Sequence, residues 1–223
     1  MGDAGRLALS TALATWGRRI VDPPRRTWQD PAYVASRLAI DDMIRGPMGL
    51  GWSRCSALRK EYQRDGDFEW CGAFAAFAWR HAGLDPALAE VYFSSTYRLD
   101  KYGRRAVAFG SPRELLLRRR LPGDGRVCHV FRPETTTEDV EAMDPQPGDI
   151  LLVDTVGGWA YGHHVTIVER WDPELASFRT VEGNATGRLP DGTIAQGVVR
   201  QLRPLSVARR LIRPAPGDLT GAA

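Results

Sequence analysis

A chain of 223 residues with 43% hydrophobic and 26% charged residues can bury one sizeable core with room for an appendage, so a globular protein is expected. The net charge of +3 and pI near 8.9 come almost wholly from arginine, Lys60 and Lys101 being the only lysines; this falls short of a nucleic-acid footprint, and no nucleic-acid partner is expected. Cys55, Cys71 and Cys128 are odd in number and widely spaced, which argues against a disulfide framework or a CxxC metal knuckle and for free thiols.

In the first twenty residues Asp3, Arg6, Arg18 and Arg19 interrupt any long apolar core, so a classical secretory signal is not expected. Arg18-Arg19 imitates a twin-arginine signal, but Asp22-Pro23-Pro24 follows at once where a hydrophobic region belongs. No apolar run approaches the roughly 20 residues of a membrane span. Residues 4–19 carry an apolar stripe of Leu7, Leu9, Ala12, Leu13 and Trp16 and predict a first helix, ended by Asp22-Pro23-Pro24. A second is expected over 31–45, with Asp30 as cap, Pro31 in the first turn and Val34, Leu38, Ile40 and Met43 on the buried side. Together they read as an N-terminal helical extension over 1–50.

The next run, Phe68 to Gly83, has no proline and no β-branched residue, is rich in alanine and aromatics, and stops at a glycine. It predicts a largely buried helix opening near Cys71 and closed by Gly83. A thiol in the first turn meets backbone N–H groups and the positive end of the macrodipole, which favour the reactive thiolate. Downstream, short helices are expected over 56–62, 86–90, 113–120 and 135–143, the last capped by a threonine. Leu121 to Gly125 is a turn cluster. His81 and His129 read as helix and loop histidines.

After Pro145-Gln146-Pro147-Gly148-Asp149 the pattern changes to strands, predicted over 150–153, 162–168, 177–182 and 197–202. Glycine, proline and aspartate fill the gaps, several short enough for hairpins, so a largely antiparallel sheet carrying the Cys71 helix on one face is expected: an α+β protein. Period-two alternation puts His164 on one side with Thr166 and Val168, and His163 on the other with Val165 and Ile167. Glu182 and Asn184 share a side if the strand runs through Gly183. A thiolate needs a base to exchange its proton, and that imidazole needs a polar partner to fix its tautomer. Cys71, His164 and Glu182 or Asn184 are the candidates.

Trp70-Cys71-Gly72-Ala73-Phe74 resembles the "WCAAF" motif of CHAP domains, the cysteine, histidine-dependent amidohydrolase/peptidase family of the papain-like superfamily that also holds the NlpC-type peptidases. Pro147-Gly148-Asp149-Ile150 resembles the family's "PGDI" strand opening, Gly162 to Val168 its "GHVxIV" histidine strand, and Val181-Glu182-Gly183-Asn184 its "EGN" segment. The order of the motifs matches, and they cover roughly 62–202. The resemblance implies a papain-like fold with a catalytic domain over 51–205, an insertion within 100–143, and an arginine-, proline- and glycine-rich tail over 206–223.

It further implies Cys71 as nucleophile, His164 as general base and acid, and Glu182 as the group that orients the imidazole, with Asn184 as supporting or substitute partner. Of the doubled histidines, strand parity and the following Val165 favour His164. The backbone N–H of Cys71 and a donor just upstream, Gln63 being the candidate, would form the oxyanion hole. No metal or other cofactor is implied. The implied activity is hydrolysis of an amide bond in bacterial peptidoglycan, by a phage-type lysin or an antibacterial effector made in the cytoplasm without a classical signal and acting at the cell wall after lysis or specialised secretion. An effector would bring an immunity protein and secretion machinery as partners. Two other classes fit the same residues: a deamidase or transglutaminase-like toxin acting on protein, and a binding module that kept the fold without the chemistry.

Overall fold

The computed structural model describes residues 2–22, 30–45, 70–86, 88, 95–99, 105–108, 127–154 and 164–220. The expected helices over 56–62 and 113–120, the turn at 121–125, Gln63 and His163 lie outside them.

The chain is α+β. Among the described residues four helices, α1 (Gly2–Gly17), α2 (Val34–Arg45), α3 (Cys71–His81) and α4 (Thr137–Ala142), accompany eight strands. β1 (Ser95–Leu99) and β2 (Arg105–Ala108) form a small antiparallel pair. β3 (Val127–Val130), β4 (Ile150–Val153), β5 (His164–Asp172), β6 (Ser177–Arg188), β7 (Ile194–Pro204) and β8 (Ala208–Arg213) form one antiparallel sheet in the order β3-β8-β4-β5-β6-β7. Among the described residues no helix is long and apolar enough to cross a membrane.

Alternation along the strands divides the interior into two cores. Ile150, Leu152, Val165, Ile167, Val181, Val198 and Ile212 meet Ala8 and Ala12 of α1, Ile40 and Met43 of α2, and the buried face of α3. Leu151, Val153, Val168, Phe178 and Leu211 point the other way, toward Phe131 and Val140 of α4. The cross-strand pairs Ile150↔Ile167 and Ile150↔Ile212 keep like faces together, so β4 has apolar rows on both sides, as an interior strand requires. β4 is buried throughout.

The expected end of α3 is present: Gly83 takes φ 94°, a left-handed value glycine adopts without a Cβ clash. α2 is preceded by a 3₁₀ turn, Pro31–Tyr33, capped by Asp30, whose carboxylate accepts from Ala32 N at 2.9 Å. α4 carries a reciprocal capping box between Thr136 and Asp139. On α2, Val34 and Leu38 are exposed rather than buried as expected; Ala39, Ile40 and Met43 supply the inner face.

The sheet is larger than the sequence pattern indicates. Residues 206–223 are not a tail over their described part, because β8 lies between β3 and β4 and the chain beyond it continues to Leu219, which bridges Leu84 behind α3. Val127–Val130 supply β3 at the edge of the same sheet, so His129 lies on a strand and not in a loop. The N-terminal segment is tied to the sheet as well. Val198 N donates to Ile20 O at 2.9 Å and Asp22 N to Gln196 O at 2.8 Å, so the segment after α1 runs along the outer edge of β7.

α3 seats on the sheet at Gly183. A Cβ added there would lie 2.5 Å from Cβ of Phe74 and 2.7 Å from Cζ3 of Trp70, closer than packed atoms approach. Gly183→Ala is therefore expected to push the first turn of α3 off β6 and destabilise the fold by about 1–3 kcal/mol, read as a lower urea midpoint at unchanged slope.

Candidate active site

The first residue of α3 and the first residue of β5 come together at their N-terminal ends. The helix starts at Cys71 because Trp70 breaks from helical geometry at φ −106°, ψ 14°, while its carbonyl accepts the first intrahelical bond from Phe74 N. Trp70 is itself fixed: its indole Nε1 donates to Asp22 Oδ2 at 3.2 Å, within the segment that borders β7. Cys71 is buried and its side chain hydrogen-bonds His164, which sits opposite Val153 across the β4–β5 ladder.

The other side of the imidazole faces β6. His164 Nε2 lies 2.9 Å from Oε2 of Glu182, a carboxylate with no solvent exposure. Glu182 Oε1 accepts from Thr180 Oγ1 at 2.5 Å and from Arg203 Nε at 2.7 Å, and Oε2 also accepts from Arg203 Nη2. Strand geometry explains the grouping. Val168 pairs with Thr180 across β5–β6, so Val168, Thr166 and His164 alternate on the side that carries Thr180 and Glu182. Arg203 pairs with Phe178 across β6–β7, on that same side, and its long side chain reaches back past Thr180 to Glu182.

Charge state follows from this surrounding. Burial opposes an imidazolium at His164, but the Cys71 sulfur and the Glu182 carboxylate outweigh it and raise the group from its ordinary 6.5 to about 10. Burial likewise opposes a carboxylate at Glu182, yet the hydrogen bonds and charges of Arg203 and His164 hold it down at about 2, from an ordinary 4.5. The pair His164–Glu182 is therefore ionic at neutral pH. With Nε2 committed to Glu182, Nδ1 is the ring nitrogen left to face the sulfur. The cluster is arranged to pass a proton between sulfur and nitrogen while the carboxylate fixes the ring.

Of the residues singled out from sequence, the structure brings Cys71, His164 and Glu182 together. Asn184 faces elsewhere: a register shift between Glu182 and Ala185, with Asn184 at φ 57°, breaks the alternation, and its Oδ1 accepts from Gln196 Nε2 at 3.1 Å. Gln196 also donates to Asp22 Oδ2 at 3.3 Å, so Asn184 belongs to the polar chain that steadies Trp70. His81 hydrogen-bonds the Phe77 carbonyl on the exposed side of α3, away from the cluster. Sequence reasoning missed two members. Thr180 was legible as the residue two before Glu182 on a strand; Arg203 required the β6–β7 register.

Among the described residues no group of three or more His, Cys, Asp or Glu is placed to hold a metal ion. No family model matches the chain, and no curated protein or solved structure matches it either.

NMR titration of the His164 ring is expected to show a midpoint near 10 and, in Glu182→Gln, a clear downward displacement; a wild-type midpoint at the ordinary 6.5 would contradict the geometry. Stability follows the same pairing. The share contributed by Glu182 is present above 4.5 and lost as pH falls toward about 2, whereas that of His164 is present below 6.5 and lost as pH rises toward about 10. Urea unfolding of Glu182→Gln should accordingly lose most of the acid-side slope.

Proposed function

We propose that this chain is a cysteine hydrolase of amide bonds with a CHAP-like, papain-related catalytic core. The observation that carries the reading is the hydrogen-bonded series Cys71, His164, Glu182, buried at the meeting of a helix start and a strand start. Supporting it are an α+β architecture with a helix packed on an antiparallel sheet, and motifs in the order cysteine, histidine, acid.

In this reading the proton on His164 Nδ1 is the one Cys71 has given up, so the resting pair is already thiolate and imidazolium, and the thiolate attacks the amide carbonyl carbon. The resulting oxyanion develops near the start of α3, where backbone N–H groups and the helix dipole favour negative charge. A single such donor is worth about 3 kcal/mol in the transition state. His164 then returns a proton to the departing amine, breaking the carbon–nitrogen bond, and takes one from the water that releases the acyl group from sulfur. Glu182 orients the ring throughout. Asn184 acts one step removed, through Gln196, Asp22 and Trp70, on the position of the helix start.

The substrate class, the amides of bacterial peptidoglycan, comes from the motif resemblance. Incubation of purified sacculi with the wild-type chain should release fragments whose masses locate one amide bond. Cys71→Ala should lower that release by at least about a thousandfold. Sacculi left intact, with deamidation of protein glutamine side chains instead, would assign the same residues to a protein-modifying enzyme.

A further inference from the structure

Glu182 is met by charged or titratable groups from each element packed around it: His164 from β5, Arg203 from β7 and, through His164, Cys71 from α3. Thr180 on its own strand adds a neutral donor. The other charges nearby on these strands have partners of their own, Glu169 with Arg200 and Asp172 with Arg179. Two nitrogens of one guanidinium hold the two oxygens of the carboxylate, in a pair largely shielded from water. The charges of Arg203 and Glu182 therefore cancel inside the cluster before His164 is considered.

We propose that Arg203 is a positioning residue that neutralises Glu182, so that the Cys71 sulfur, and not the carboxylate, is the counter-charge of the His164 imidazolium. The inference rests on the reading of Cys71 and His164 as nucleophile and base. The S–H bond of Cys71 breaks, the electron pair stays on sulfur, and the proton binds the ring nitrogen that Glu182 leaves open. With the guanidinium present, the four groups sum to zero before and after this transfer. Remove it, and a protonated His164 beside an ionised Glu182 is already neutral with the thiol intact; forming the thiolate then leaves an uncompensated negative charge in a buried site. Arg203 thus decides whether the proton rests on sulfur or is given up.

The test needs no substrate. Alkylation of Cys71 by iodoacetamide, a neutral reagent, is followed by peptide mass spectrometry across about pH 4 to 10, with Cys128, an exposed thiol on β3, as internal reference. His164 is titrated by NMR in the same samples. Arg203→Met should shift the acid limb of Cys71 alkylation upward and slow the reaction at neutral pH by about tenfold or more, while His164 remains protonated through neutrality. Arg203→Lys, which keeps the charge but not the fork, should hold the limb near its wild-type position; Arg203→Gln serves in place of Arg203→Met should that variant not fold. An unmoved limb in Arg203→Met, an equal shift in Arg203→Lys, or a fall of His164 to its ordinary titration would each overturn the proposal. The last outcome would make Arg203 a prop for Glu182 alone. Wild-type Cys71 reacting no faster than Cys128 would instead remove the functional reading beneath it.

Discussion

The constraint on which this structure turns is one carboxylate without access to water. An isolated buried charge is costly enough that it normally neutralises, and removing one partner of a buried ion pair costs about 3–5 kcal/mol. Glu182 stays ionised because Thr180, His164 and Arg203 supply its hydrogen bonds from three adjacent strands. Those bonds are satisfied at a single register. A slip of one residue in β5 or β7 would turn His164 or Arg203 to the opposite face and strand the charge. The polar cluster thus pins three central and edge strands together at the point where chemistry is proposed.

The second requirement is that a helix start be held against that point. α3 is almost wholly apolar and packs by area, which sets its depth on the sheet but not its position along its own axis. Specific contacts fix the latter. Gly183 leaves space for Trp70 and Phe74, Asp22 holds the Trp70 indole, and at the far end the Trp79 indole donates to the Gly148 carbonyl at 3.1 Å. Gly148 takes φ 93° in the turn before β4, and Asp149 in that turn makes a bidentate ion pair with Arg213 of β8. Residues from both termini therefore tie down the helix that carries the sulfur. Segments that look peripheral in the chain are part of what positions it.

The local features were legible before the fold. The 71–81 helix follows from an alanine-rich run without β-branching, ended by a glycine suited to left-handed geometry. β4 and the cores of β5, β6 and β7 follow from apolar runs between turn residues. His164 and Glu182 share a side because alternation is a property of one strand. Where that alternation is interrupted, at the irregularity between Glu182 and Ala185, the expectation for Asn184 failed with it.

By itself the sequence determined the class of the fold, the helix opening at Cys71 and the sides that His164 and Glu182 take, since each depends on residues a few positions apart. Only the tertiary structure decided that β8 lies inside the sheet, that Asn184 turns to Gln196, and that one arginine among many, Arg203, holds the carboxylate. Those outcomes depend on register between strands, and register is set by which distant side chains must satisfy a buried charge, a quantity no short window of sequence contains.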